Sequence, residues 1–312
     1  MASKHPFRFG VQFRRGRGAR EWIEAARRAE ALGYSTLSLP DHFTDQFAPI
    51  AGLTAAAMVT EKLRISALVL DNDYRHPVVL AKELATMDVL SEGRLDIGLG
   101  AGWLRTDYEQ AGMEYDGVGV RIDRMIEGLA VIRGLMAGGP FSFEGRHYHV
   151  EDMEGTPLPV QRPHPPILLG GGGRRMLSIA AREADIVNVN FDLRSGRVDP
   201  GTVLTGLPDA FAEKISWIRE AAGDRFDSLE ISVTTFVTNV THDRETLAQA
   251  VAGGIGAQPS DVLEMPNFLI GSVDELVHDL ELRRERYGVS YVFVPADSME
   301  DFAPVVARLN GT

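Results

Sequence analysis

The sequence predicts an α/β fold, a (β/α)₈ TIM barrel with inserted loops at its C-terminal mouth, formed by residues 1–312 as a single domain. Three observations point there. Eight short apolar stretches are each followed by a helical pattern, and that alternation specifies a parallel sheet covered by helices. The length of 312 residues slightly exceeds the roughly 250 typical of such a barrel. No Pro/Ser tract, charge block or shift in composition divides the chain, as the competing open sheet of two domains would require.

The first strand is residues 7–13, which alternate from Phe7 to Phe13. A helix follows at 19–32, with Trp22, Ile23, Ala26, Ala29 and Leu32 at helical spacing and Gly33 to end it. The second strand, 36–39, stops at Pro40-Asp41-His42-Phe43 and precedes a helix at 50–60. The third strand is 63–70, which reads as buried; Arg75, His76 and Pro77 then open a helix reaching Leu90, Pro standing in a tolerated first turn. Residues 95–99 form the fourth strand, and 121–136 a helix with Ile122, Met125, Ile126, Leu129 and Ile132 on one face.

Strands at 166–169, 185–190, 229–237 and 291–294 complete the eight, with helices at 174–182, 209–222, 244–252, 273–287 and 301–309. Surplus length sits at 141–165, 192–208 and 253–268. The first contains a hairpin pattern at 141–148. The other two follow strands directly or through one helix, which makes them candidate lids over the mouth.

Subtracting 44 acidic from 32 basic residues leaves −12, which argues against a nucleic-acid or anionic-membrane surface. With no cysteine, thiolate nucleophiles, disulfides and cysteine-ligated metals are excluded. Met1-Ala2-Ser3-Lys4-His5-Pro6 lacks the apolar stretch of a secretory signal, and no uncharged apolar run reaches the roughly 18 residues of a membrane helix. The expectation is a soluble cytoplasmic protein.

Pro166 to Arg175 is the most informative segment: a strand running into four glycines, Gly170 to Gly173, and then a helix start with Arg174 and Arg175. Bare backbone N–H groups, a helix N-terminus and two guanidiniums together describe an anion site, and phosphate is the natural guest. A tight turn alone needs fewer glycines. Gly98-Leu99-Gly100-Ala101-Gly102-Trp103 fails the dinucleotide fingerprint, whose third glycine would fall at Trp103. It fits a backbone lying close to a flat ligand with Trp103 as a wall, and a packing turn accounts for it as well.

Asp41-His42 ends the second strand, on the face where barrel enzymes assemble their sites. An imidazole there can move a proton near neutral pH, and the adjacent carboxylate can orient it or bind a ring N–H of a cofactor. His147-Tyr148-His149 would project two imidazoles to one side of a strand but lacks a third ligand, so no metal is expected. His76 reads as a residue at a helix start. Gln12, Phe13, Asn72, Asn188 and Asn190 complete a mixed polar and aromatic mouth suited to a small polar organic substrate.

Taken in order, these pieces resemble the luciferase-like monooxygenase superfamily, and within it the branch of coenzyme F420-dependent oxidoreductases. The most specific part runs from Arg75-His76-Pro77-Val78-Val79-Leu80-Ala81-Lys82 through Leu90-Ser91-Glu92-Gly93-Arg94-Leu95-Asp96-Ile97 to Gly98-Leu99-Gly100-Ala101-Gly102-Trp103. Leu39-Pro40-Asp41-His42-Phe43 and Pro165-Pro166-Ile167-Leu168-Leu169-Gly170-Gly171-Gly172 support it.

The resemblance implies a flavin or deazaflavin across the barrel mouth, and commonly a homodimer. It implies a non-prolyl cis peptide at the end of the third strand, by position Ala67-Leu68, with Leu68-Val69 the neighbouring candidate. Asp41, Ala101 and Gly102 would border the ring's polar edge or sugar-like chain, and Gly171, Gly172, Gly173 and Arg174 would hold the phosphate. Flavin-using members carry arginine where Ala101 stands and lack the acid before the matching His42; both departures favour F420 over FMN. The implied reaction is hydride transfer to or from a small organic substrate, with His42 as acid or base and Asp41 fixing the cofactor or the imidazole. The alternatives are an FMN-dependent monooxygenase and a non-catalytic flavin- or deazaflavin-binding protein.

Overall fold

The computed structural model describes residues 5–16 and 18–312, so Met1 to Lys4, on which the N-terminal reading partly rests, lie outside the described residues, as does Arg17. Eight parallel strands close into a barrel. In chain order they are Arg8–Gln12, Thr36–Leu39, Arg64–Ala67 (resuming briefly at Leu70–Asp71), Leu95–Gly100, Ile167–Gly171, Ile186–Val189, Glu230–Thr234 and Val289–Pro295. Each pairs with the next in sequence, and the eighth returns to the first with Phe9 opposite Val292. The third strand meets the fourth at Ile65 opposite Leu95. That continuous ring excludes the open sheet.

These strands were legible because each carries an apolar outward face. Their outward side chains, such as Leu37 and Ile97, are buried under the helices, where full burial stabilises by about 1.5–3 kcal/mol per large aliphatic side chain. Trp22 of helix Ala19–Ala31 locks this layer, its Nε1 donating to the Gly52 carbonyl at 2.9 Å. Inside the barrel, Leu168, Ile186, Tyr291 and Phe293 fill the middle of the lumen. Below them, Arg8 pairs with Glu230 and Arg64 with Asp96. The filled lumen confines open space to the C-terminal mouth.

Two expected elements differ, and a helix is added after the fourth strand. The run 63–70 is not one strand: pairing breaks after Ala67, and the bond Leu68-Val69 is cis. The expected bond Ala67-Leu68 is not the cis one, so the neighbouring candidate holds. The run 229–237 also divides. Thr235 Oγ1 donates back to the Phe293 carbonyl, and Val237–Val240 leaves the barrel to pair with Phe268–Gly271. A further helix, Arg105–Ala111, follows the fourth strand unannounced.

The surplus segments take different positions. Pro140–Glu144 and His149–Glu154 form the antiparallel hairpin against helix Val118–Ala137. Its turn is organised by Glu127, whose carboxylate accepts the N–H groups of Arg146, His147 and Tyr148. His147 therefore sits in the turn and His149 beside Glu144, so the two imidazoles do not share a strand face. Residues 192–208 reach the barrel mouth. Residues 253–268 do not line it: Val262, Met265 and Phe268 pack beneath, against Phe191, as a second apolar cluster. Among the described residues no helix is long and apolar enough to cross a membrane.

Candidate active site

A cavity of about 700 Å³ opens at the C-terminal ends of the strands. Gly100, Ala101, Gly102 and Trp103 line one side, and Gly170 to Arg175 line another, so the two glycine segments converge on one space. Asp41, His42, Leu68, Asn188 and Asn190 also face it, as does Gln12. Ala67 does not. It lies just before the cis bond, with its carbonyl against Gly98, where an added Cβ would come within 1.9 Å. Phe13 turns outward onto Trp22, ring centroids 5.2 Å apart, and Asn72 bonds the Tyr148 hydroxyl behind the cavity wall.

His42 is held by a residue that sequence reading did not select. Its Nδ1 stands 2.6 Å from Oδ2 of Asp107, a buried acid in the first turn of helix Arg105–Ala111. The same carboxylate oxygen accepts from the Tyr74 hydroxyl at 3.3 Å, and the imidazole meets Trp103 edge-on at 5.6 Å between centroids. With Nδ1 engaged by a carboxylate, Nε2 is the ring nitrogen left for the cavity. The signal for Asp107 was available only as an acid seven residues beyond the strand-end Gly100, with no apolar periodicity to place it.

Asp41 does not orient the imidazole. Arg75 donates to it through Nη1 at 2.6 Å and Nη2 at 3.2 Å, and the backbone N–H of Asp71 adds a third bond at 3.1 Å. This clamp ties the second strand's end to the exit of the broken third strand. The carboxylate still borders the cavity.

Asp71, beside it, is buried, and burial is the first cause that raises its pKa to about 7. The charges of Asp73 and Asp41 push the same way, while the Asp73 N–H and the Tyr108 hydroxyl oppose. Tyr108 donates to Asp71 at 2.9 Å, and both stand against Gly102, whose φ is +71°. A Cβ at Gly102 would meet the Tyr108 hydroxyl at 1.9 Å. Glycine there is imposed by protein contacts as well as by backbone conformation.

The four-glycine segment divides in the same way. At Gly172 an added Cβ would stand 2.0 Å from the Phe191 carbonyl, so this glycine lets two loops touch. Gly173 is roomy, its nearest neighbours lying at 3.8 Å, and it is the N-cap of helix Arg174–Glu183. No side chain caps that helix and no acid lies in its first turn, which leaves its opening N–H groups for an anion. The two guanidiniums expected there are turned aside: Arg174 pairs with Glu220 at 3.1 Å and Arg175 with Asp123 at 2.5 Å.

Another missed cation lies across the cavity. Buried Arg121 donates through Nε to the Ala101 carbonyl at 3.2 Å and through Nη2 to the Gly102 carbonyl at 3.3 Å. The cis bond Leu68-Val69 supplies an apolar bulge under this space, braced by Gln12 Nε2 donating to the Leu68 carbonyl at 3.1 Å. An uncapped helix start, a flat apolar floor and flanking backbone together fit a planar, phosphate-bearing cofactor.

The luciferase-like monooxygenase family matches residues 1–269. The chain is 30% identical over 207 residues to the FMNH(2)-dependent dimethylsulfone monooxygenase of Pseudomonas putida, across 65% of this chain and 52% of that protein. The chain thus spans about half of that relative's length. It is 31% identical over 238 residues to the F420-dependent glucose-6-phosphate dehydrogenase of Microbacterium testaceum, across 73% and 68%. In structure it superposes on the coenzyme F420-dependent tetrahydromethanopterin reductase of Methanopyrus kandleri with a TM-score of 0.78 at 19% identity, covering 98% of this chain and all of that one.

Proposed function

The chain belongs to the luciferase-like monooxygenase family, and from that premise we propose that it is a coenzyme F420-dependent oxidoreductase acting on a small organic substrate. The observation that carries the reading is the His42–Asp107 pair, 2.6 Å apart, on the wall of the cavity that also holds the uncapped glycine cradle. A proton-moving group beside a cofactor pocket suits hydride transfer, in which a substrate proton moves as the hydride does. Bound F420 supplies the carbon that gives or takes the hydride.

In this reading the N–H groups at Gly171, Gly172, Gly173 and Arg174 hold the phosphate, with Arg174 contributing its backbone rather than its guanidinium. Leu68 and Val69 floor the ring, Trp103 walls it, and Ala101, Gly102 and Asp41 border its polar edge. Asp107 holds the Nδ1–H of His42, so neutral Nε2 accepts the substrate proton and protonated Nε2 returns one. The apolar floor and Trp103 exclude water from that exchange. Assembly as a homodimer belongs to the same reading; Val79 and Leu90, exposed on helix Pro77–Leu90, supply apolar surface for it.

An FMN-dependent monooxygenase is the second reading, favoured by the dimethylsulfone monooxygenase relatives. Titrating the apoprotein with F420 and with FMN, read by fluorescence, separates the two. Tight F420 and weak FMN binding is expected; the reverse order overturns the proposal.

A further inference from the structure

Arg14 stands just past the end of the first strand, four strands round the barrel from the glycine cradle, and lines the same cavity. Its Nε donates to Gln12 Oε1 at 2.8 Å, and Gln12 is itself fixed by its bond to the Leu68 carbonyl. Its guanidinium carbon lies 5.3 Å from the centroid of the Phe236 ring. One edge and one face of the fork are thus anchored. Among the described residues, neither terminal nitrogen has a hydrogen-bond partner and no carboxylate lies in ion-pair contact; Asp297 acts on it only through space.

The other cations of the cavity are committed. Arg174, Arg175 and Arg194 are paired with Glu220, Asp123 and Asp192. Arg121 spends its donors on carbonyls and the Tyr115 hydroxyl. Only the Arg14 fork is both oriented and vacant among these lining arginines. Two parallel N–H donors from a planar guanidinium match a carboxylate in a way that a lysine ammonium does not.

Building on the oxidoreductase reading, we propose that Arg14 recognises a carboxylate on the substrate, which makes the substrate class a small carboxylate-bearing organic molecule. A carboxylate could also come from the cofactor's tail. The position of Arg14, across the barrel from the helix start that takes the phosphate, assigns the fork to the substrate. The first and second strands are neighbours, with Gln12 opposite Ser38, so a carboxylate on Arg14 places the rest of the molecule on the His42 side of the mouth.

The test is calorimetric titration of the F420-loaded protein with acetate, benzoate and 4-oxopentanoate, each against its amide. At least one carboxylate is expected to bind about 10-fold or more tightly than its amide, the scale of a charge-assisted hydrogen bond. Arg14→Gln is expected to abolish that preference with F420 affinity unchanged, and Arg14→Lys to keep part of it. No preference in the parent protein, a preference that survives Arg14→Gln, or weakened F420 binding in that variant would each overturn the proposal. If F420 does not bind the parent protein, the oxidoreductase reading fails separately. The same titration without cofactor then decides the fork, a preference lost in Arg14→Gln supporting it and no preference overturning it.

Discussion

His42 and Asp107 lie 65 positions apart, yet Nδ1 of one stands 2.6 Å from Oδ2 of the other. The contact exists because the second and fourth strands open onto one mouth and because helix Arg105–Ala111 folds back over it. Tyr74 donates to the same carboxylate oxygen at 3.3 Å. The imidazole is therefore positioned from outside its own strand.

This relationship predicts a division of labour. His42→Ala is expected to lower turnover by about 10² to 10⁴, the usual contribution of positioned proton transfer, with cofactor affinity retained. Asp107→Asn is expected to lower kcat with KM and cofactor affinity unchanged, and Asp107→Glu to recover part of the loss. Steady-state kinetics beside cofactor titration check this. Unaltered turnover in His42→Ala removes the residue from the role.

The glycines make a second, structural prediction. Gly172→Ala drives a methyl against the Phe191 carbonyl, 2.0 Å away, and is expected to cost about 1–3 kcal/mol, as overpacking does. Gly173→Ala meets nothing closer than 3.8 Å, and its stability is expected to stay within about 0.5 kcal/mol of the parent. Urea denaturation of the pair checks the difference. Equal costs would mean that the two loops do not meet at Gly172.

The barrel was legible because alternating apolar strands and amphipathic helices report burial directly. What stayed hidden were features carried by polar side chains after the strands end. The apolar run through Leu68 and Val69 reads as one strand, since hydrophobicity does not register a cis peptide bond. Asp41 looks like the partner of His42 because it is adjacent, but neighbouring residues at a strand end send their side chains apart, and Arg75 takes the carboxylate. Asp107 lies in a seven-residue helix too short to show a period. The convergence of Gly102 and Gly173 on one cavity was legible, because both follow strands at the mouth.

Asp71 predicts a pH dependence. Its pKa is raised from 3.8 to about 7, first by burial, so between those values the folded chain keeps a proton that the unfolded chain has released. The stability linked to that proton is fully present below about pH 4 and is lost as pH rises through about 7. Asp71→Asn has no proton to lose there. Denaturation at pH 5 and pH 8 is expected to show the parent losing stability relative to the variant; parallel slopes would contradict the assignment.

Lys214 predicts the opposite slope and a local loosening. Its buried ammonium donates at 2.7 Å to the carbonyls of both Asn190 and Thr205, and so ties together the two ends of the segment that carries Asp192 and Arg194 to the cavity rim. Burial lowers its pKa from 10.5 to about 8, with Asp192 opposing. Between those values the unfolded chain holds the extra proton, so stability contributed by Lys214 rises as pH climbs from about 8 toward 10.5. Lys214→Met removes that rise and leaves two carbonyls without their donor, a loss of about 1–3 kcal/mol. The segment contains Arg194 and Arg197, both exposed, so trypsin reads its opening directly. Faster cleavage after these arginines in Lys214→Met, with the barrel otherwise intact by circular dichroism, is the expected result, because the tie acts on the loop ends and not on the strands beneath. Cleavage at the parent rate would show that the apolar contacts of Leu193 and Val203 with the Phe191 cluster hold the segment without the lysine.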